Sequence, residues 1–243
     1  MGKKGPSRHM KREKSPTFWP IHRKDQVWAV RPNPGPHSIQ VSAPLLVMVR
    51  DFLKLARNAK EARAIITQGK IRVDGKTRRD ERYSVGLMDV VELPDADLRY
   101  RLLPGHGGRF IFHPISKEET GFKLCRIVGK TTIKDGVTQL NLHDGRNIIL
   151  ENEGDFKVGD IVRLEIPEQE ITDHITFKPG VRAIITGGRS QGQYGILMGL
   201  GPEPGAKRTA TIRTPENEDV RTLESYIFAV GTETSIISLP GVQ

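Results

Sequence analysis

Cysteine is almost missing from this chain: Cys125 is the only one. A single thiol excludes an internal disulfide and a cysteine-rich zinc cluster, and leaves Cys125 to serve as a small buried hydrophobe. Long apolar runs are missing too. No stretch approaches the roughly 18 residues that a membrane-spanning helix needs, and no apolar segment follows the charged beginning as it would in a secretory signal, so a soluble intracellular protein is expected. Acidic residues are scarce at one end only. Residues 1–42 hold nine Lys or Arg against two Asp or Glu, and residues 43–105 hold thirteen against nine. Residues 106–172 hold nine against eleven, and residues 173–243 seven against seven. The net charge of +9 therefore sits at the front, where it suits a polyanionic partner.

Signatures of catalysis are missing as well. "GHGGR" at 105–109 and "GGRSQG" at 187–192 are glycine-rich, but neither has the lysine-hydroxyl ending of a phosphate-binding loop or opens a helix. The histidines, at 9, 22, 37, 106, 113, 143 and 174, show no close metal-ligand spacing, and no serine sits in a nucleophile elbow. The Glu118-Glu119 pair reads as a solvated loop. No enzyme, metal, cofactor or small-molecule substrate is expected.

What is present begins with a basic, proline-interrupted arm over residues 1–42. It has no sustained period of 3.6 or 2, so much of it should fold only against a partner. Trp19 and Trp28, the only tryptophans, admit two readings: stacking on exposed bases, or pinning the arm to the next domain. Ser42 and Pro44 then read as a helix start, with Leu45, Val49, Phe52, Leu53 and Ala56 on its apolar face and Arg50, Lys54 and Arg57 along another. A second helix begins where Asn58 and Glu61 form a capping box, carries Ala62, Ile65 and Ile66 inward, and ends at Gly69. Ile71 and Val73 alternate with Lys70 and Arg72 up to Asp74-Gly75, a tight hairpin turn. The return strand starts near Lys76, and "GLMDVVEL" from Gly86 to Leu93 reads as one further strand. The unit projects Lys60, Arg63, Lys70, Arg72, Lys76, Arg78, Arg79 and Arg82 from a few neighbouring turns.

"AKEARAIITQGKIRVDGK" resembles the S-four RNA-binding module, in which asparagine is commoner than aspartate before the turn glycine. From residue 106 the texture changes to short strands, with Asp-Gly turns at 135–136 and 144–145, and predicts a small antiparallel barrel. "KPGVRAIITGGRSQGQYGILMGL" is similar to a KOW motif, the strand-loop-strand core of an SH3-like barrel, and its glycines at 187, 188, 192 and 195 permit close approach of RNA or another backbone.

The order of these parts, with "RPNPGPH" at 31–37, "PLLVMVRDFL" at 44–53, "VGLMDVVELP" at 85–94 and "LHDGRN" at 142–147, resembles the S-four-e family of archaeal and eukaryotic small-subunit ribosomal proteins, in its archaeal form. The fold class expected is α+β, mostly β. Its parts are a basic arm (1–42), a helix-helix-hairpin S-four module (43–105), a central β domain (106–172) and a KOW-containing SH3-like domain (173–243). The resemblance implies a structural constituent of the small ribosomal subunit, cytoplasmic and within the ribosome. Its partners would be small-subunit rRNA and neighbouring ribosomal proteins, with no membrane and no homo-oligomer. Expected rRNA contacts are Lys3, Lys4, Arg8, His9, Lys11, Arg12, Lys14, Trp19, Arg23, Lys24, Trp28 and Arg31 in the arm. In the module they are Arg50, Lys54, Arg57 and the eight cations named above, and in the last domain Gly187, Gly188, Arg189 and Gly192. An RNA-modifying enzyme that uses the module to hold substrate, and a free-standing KOW regulator, are the alternatives.

Overall fold

A computed structural model describes residues 7–240 apart from 8, 23, 25, 151–153 and 202–207, so Lys3, Lys4, Arg8 and Arg23 lie outside the described residues. Three five-stranded sheets follow one another, every pairing in them antiparallel. The first runs Lys76–Thr77, Arg72–Val73, Val90–Leu93, Leu98–Pro104, Phe110–Pro114. The second runs Asn147–Leu150, Thr138–Leu142, Phe122–Thr132, Ile161–Glu165, Ile171–Ile175. The third runs Asp219–Leu223, Thr209–Arg213, Tyr194–Gly201, Arg182–Ile185, Ile227–Gly231.

Apart from single 3-10 turns, helices occur only ahead of the first sheet among the described residues. The first is shorter than its apolar period predicts: Leu45–Val47 widens into a π turn over Met48–Phe52, and Lys54 then turns left-handed at φ 53°. Pro44 stands at its N-cap, because Ser42 pairs in a strand with Gly86 and its hydroxyl donates to the Ser38 carbonyl. Lys54 and Arg57 consequently leave the helix and rise from the loop that follows it. The second helix, Ala59–Thr67, starts as the sequence predicts: Asn58 Oδ1 accepts from Glu61 N at 2.9 Å. Glu61 reaches one residue further back than a standard box, to Arg57 N at 2.8 Å. Ala62 and Ile66 are fully buried. In the hairpin both turn residues are left-handed, Asp74 at φ 50° and Gly75 at φ 72°, which matches the twist of the flanking strands.

Three expectations are corrected. "GLMDVVEL" is two strands, Ser84–Gly86 and Val90–Leu93, folded about Met88 at φ 67°, where the Asp89 carboxylate accepts from Gly86 N and closes the turn. Among the described residues the central sheet has an open strand order rather than one closed by hydrogen bonds, with 147–150 and 171–175 at opposite ends. Its eleven-residue strand Phe122–Thr132 pairs with 161–165 along its first half and with 138–142 along its second, bending at an irregularity between Ile127 and Gly129. The described part of the arm does not wait for a partner to order it. Met10, Trp19 and Ile21 enter the same core as Leu45, Leu46 and Ile66, and Trp19 Nε1 donates to the Ser42 carbonyl at 3.0 Å. Each such side chain contributes about 1.5–3 kcal/mol when buried, which offsets only part of the arm's ordering entropy, and backbone pairing and the Trp19 hydrogen bond add to it.

A second core crosses all three sheets. Leu103 and Met88 meet Phe122, Leu124 and Ile161, and these meet Val181, Ile184 and Phe228. A third, smaller core holds Cys125 with Ile127, Leu140 and Val162. Burial raises the Cys125 thiol well above its ordinary range, as an inert hydrophobe requires.

Between the cores lies a buried charge cluster. Lys123 Nζ, on the long central strand, reaches Asp89 Oδ1 at 2.5 Å, Asp74 Oδ2 at 3.0 Å and Asp144 Oδ2 at 3.0 Å, all four side chains being nearly inaccessible. Arg146 Nη2 adds a 2.6 Å contact to Asp74, and His37 Nε2 lies 2.9 Å from Asp89. Burial alone would lower the Lys123 ammonium, but the surrounding carboxylates outweigh it and hold the group charged. Burial would likewise raise Asp144, and Lys123 with its neighbours instead brings it down to about 2. Beside the cluster stands half-buried His143, whose pKa falls to about 4, chiefly through burial and then through the Lys123 charge.

Lys123→Met should lower the unfolding free energy by about 3–5 kcal/mol, because three buried carboxylates lose the ammonium they share; a urea midpoint equal to the wild type would refute that role. For His143 the folded-state pKa lies below the unfolded value of about 6.5, so the unfolded chain binds the extra proton. Its contribution is complete above about pH 6.5 and is lost toward pH 4, roughly 3 kcal/mol in all. His143→Asn keeps an acceptor for Arg126 N and should flatten that limb of the stability curve, leaving the smaller part contributed by His113, whose pKa burial also lowers.

Candidate nucleic-acid interface

The helix Ala59–Thr67 and the hairpin share one rigid base, because Ala62, Ile66, Ile71 and Val73 are fully buried beneath them. Period-two alternation then forces Arg72 outward between Ile71 and Val73. Lys60, Arg63, Lys70, Arg72, Lys76 and Arg79 are all exposed on this unit, and Arg78 and Arg82 are half-buried.

Not all of these cations are equally available. Arg63 forms a fork with Glu81 at 2.6 and 3.2 Å, which raises its pKa further; Lys70 Nζ lies 3.4 Å from Asp95. Arg78 stacks on the Tyr83 ring at 4.3 Å, and half-buried Arg50 is bidentate to Asp51 at 2.8 and 2.9 Å. Among the described residues, Lys54, Arg57, Lys60, Arg72, Lys76 and Arg79 remain exposed without a carboxylate partner. They occupy the interhelix loop, the second helix, the hairpin and the segment after it.

The arm divides in the same way. Lys11, Lys14, Lys24 and His9 are exposed and Arg31 is half-buried. Arg12 is a correction: its guanidinium is buried, donating to the Ile21 carbonyl at 2.5 and 2.7 Å and to Ser15 Oγ at 2.7 Å, so it binds the arm to itself. Trp19 is another. Only 1% exposed, it is the pin of the arm, whereas Trp28 is 56% exposed with the His9 ring 5.8 Å away.

In the third sheet the glycine-rich loop serves the chain's own packing. The Tyr226 ring covers Gly187 and Gly188, and a side chain at Gly192 would sit 2.7 Å from the Gly105 carbonyl carbon. The "GGRSQG" loop thus docks on "GHGGR", where Gln191 Nε2 donates to the Arg109 carbonyl at 3.0 Å. Arg189 is exposed.

Two groupings that could suggest chemistry are already committed to the fold. Glu119 accepts from Ser238 N and Oγ at 3.1–3.3 Å and ties the C-terminal segment down, while Glu118 is exposed, so only one member of the pair is solvated as the sequence predicts. Cys125, His143 and Asp144 bring ligand atoms within 4.8 Å of one another. Those atoms are engaged: His143 Nδ1 accepts from Arg126 N, Asp144 holds Lys123, and the thiol keeps its proton.

The sequence reading misses Lys123, Arg146 and Asp89, which fix the hairpin to the central sheet. A signal was present: a lysine in "FKLCRIV", a strand otherwise too apolar to face water, demands buried anions.

Comparison with known proteins identifies the family. A model described as ribosomal family S4e matches residues 96–171, an S4 domain model matches 46–91, and an RS4NT (NUC023) domain model matches 4–40. The small ribosomal subunit protein eS4 of Methanothermobacter thermautotrophicus is 49% identical, covering 96% of each chain. That of Methanocaldococcus jannaschii is 45% identical, covering 98% of this chain and 100% of its own. The 30S ribosomal protein S4e from Thermoplasma acidophilum, solved by crystallography, is similar in structure with a TM-score of 0.68 at 31% identity, covering 79% of this chain and 95% of that one. With identity at this level over nearly the whole length, the chain belongs to the ribosomal S4e family.

Proposed function

We infer that the protein is a structural constituent of the small ribosomal subunit, cytoplasmic within the ribosome, and binds small-subunit rRNA through the face built by its second helix and hairpin. The observation that carries this reading is the set of unpaired cations Lys54, Arg57, Lys60, Arg72, Lys76 and Arg79 on a frame held rigid from below. Neither alternative draws support from the relatives, which are named as ribosomal proteins.

Physically, each such cation releases condensed counterions when it meets a phosphate. The deep, narrow major groove of an RNA helix excludes side chains, so recognition rests on backbone shape and on splayed bases. The short first helix, the second helix and the hairpin form the S-four-type grip, and the arm extends it through Lys11, Lys14, Lys24 and Arg31. The third sheet is read as a KOW-type, SH3-like unit that braces the module and turns Arg189 to RNA or to a neighbouring ribosomal protein. The chain acts as a single copy in this arrangement.

Replacing Lys60, Arg72, Lys76 and Arg79 together by alanine should weaken rRNA binding and lower the slope of log K against log salt by about one for each phosphate no longer neutralised. Filter binding across a salt series measures this, and an unchanged slope would remove the module from the interface. Tryptophan emission gives an independent check, since Trp28 is open and Trp19 is not. Stacking on a base should quench the wild type, and Trp28→Phe should abolish most of the quench; equal quenching in both would place RNA elsewhere.

A further inference from the structure

The arm and the first helix enclose a groove of about 530 Å³ of which the reading above uses Lys54 alone. Its volume falls within the range of about 300–1,000 Å³ typical of small-ligand sites. Half-buried Phe18 and Phe52 form its apolar part, so each ring keeps some open surface. Both are held by edge-on aromatic contacts, Phe18 to Phe110, itself in the lining, at 5.0 Å and Phe52 to Phe112 at 5.5 Å. At the rim stand His22, Lys54 and Arg109, exposed and without a carboxylate partner among the described residues. The one acidic side chain in the lining, Asp51, already carries the bidentate Arg50, so the groove presents net positive charge around an aromatic floor.

Lys54 is held there against its own backbone preference. It is left-handed at φ 53°, and hydrogen bonds on either side of it, Leu53 N to the Met48 carbonyl at 2.9 Å and Leu55 N to the Val49 carbonyl at 3.0 Å, impose that conformation. A strained non-glycine residue at the lip of a groove is the kind of position that binding sites retain.

We propose that this groove takes one unstacked nucleotide of single-stranded RNA, its base against Phe18 and Phe52 and its flanking phosphates against Lys54, Arg109 and His22. Aromatic faces accept any base, and the cations supply the anion recognition that an apolar peptide would not need. The proposal rests on the rRNA-binding reading and adds a base-contacting site beside the shape-reading surface.

The two contributions separate by experiment on the full chain with small-subunit rRNA. Phe52→Leu keeps apolar volume and should weaken binding about tenfold with an unchanged salt slope, because it removes stacking alone. Lys54→Gln and Arg109→Gln, both at exposed positions, should each lower the slope by about one. A benzophenone amino acid replacing His22 should cross-link to RNA in reconstituted subunits. If wild type binds rRNA but all three variants match it in affinity and slope, or if the cross-link goes to protein alone, the groove is not a nucleotide site. If wild type fails to bind rRNA even in dilute buffer, the functional reading falls and the groove falls with it.

Discussion

Taking an ammonium group out of water costs several kcal/mol unless its charge and its three N–H donors are all met. Lys123 satisfies both conditions with carboxylates from three separate turns: Asp74 at the hairpin tip, Asp89 in the turn before the third strand of the first sheet, and Asp144 in the central sheet. Arg146 and His37 supply further contacts to the same anions, and Asp74 Oδ1 also accepts from Val90 N. The hairpin is therefore anchored at its tip to the central sheet, where Pro167 closes against Gly75 as well. Without that anchor its two-residue strands would have little to hold their direction.

Rigidity of this kind decides which cations serve the surface. Arg12, Arg101 and Lys123 are buried, and Arg101 illustrates the cost: burial brings its pKa down to about 10 while its Nη2 donates to the carbonyls of Glu119 and Phe122. These groups hold segments of the chain together. The remaining cations, presented on a frame that does not need to reorganise, lose little conformational freedom when they meet an anion. A formal charge summed along the sequence mixes the two populations, and only packing separates them.

Local signals were the legible ones. The Asn58 cap, the Gly69 stop and the Asp74-Gly75 turn depend on residues within four positions of each other, so the sequence carries them directly. The family was also readable, from the order of its motifs. Long-range effects were not. The first helix is cut short because Ser42 is drawn into a strand with Gly86, a partner 44 positions away. Arm residues Trp19 and Arg12 turn inward for the same kind of reason. The aspartate at position 74 looked like a neutral alternative to asparagine while only the turn was considered. Its charge has a purpose once Lys123 and Arg146 are seen beside it.

The core shared by all three sheets has a consequence for biosynthesis. Met88 packs in the same cluster as Ile237 and Leu239, so an apolar surface made early waits for a segment made about 150 residues later. At translation rates of about 5–20 residues per second that interval lasts roughly 7–30 s. During it the nascent polypeptide exposes a sticky, half-finished interior beside a polycationic head, until the segment after the last strand emerges.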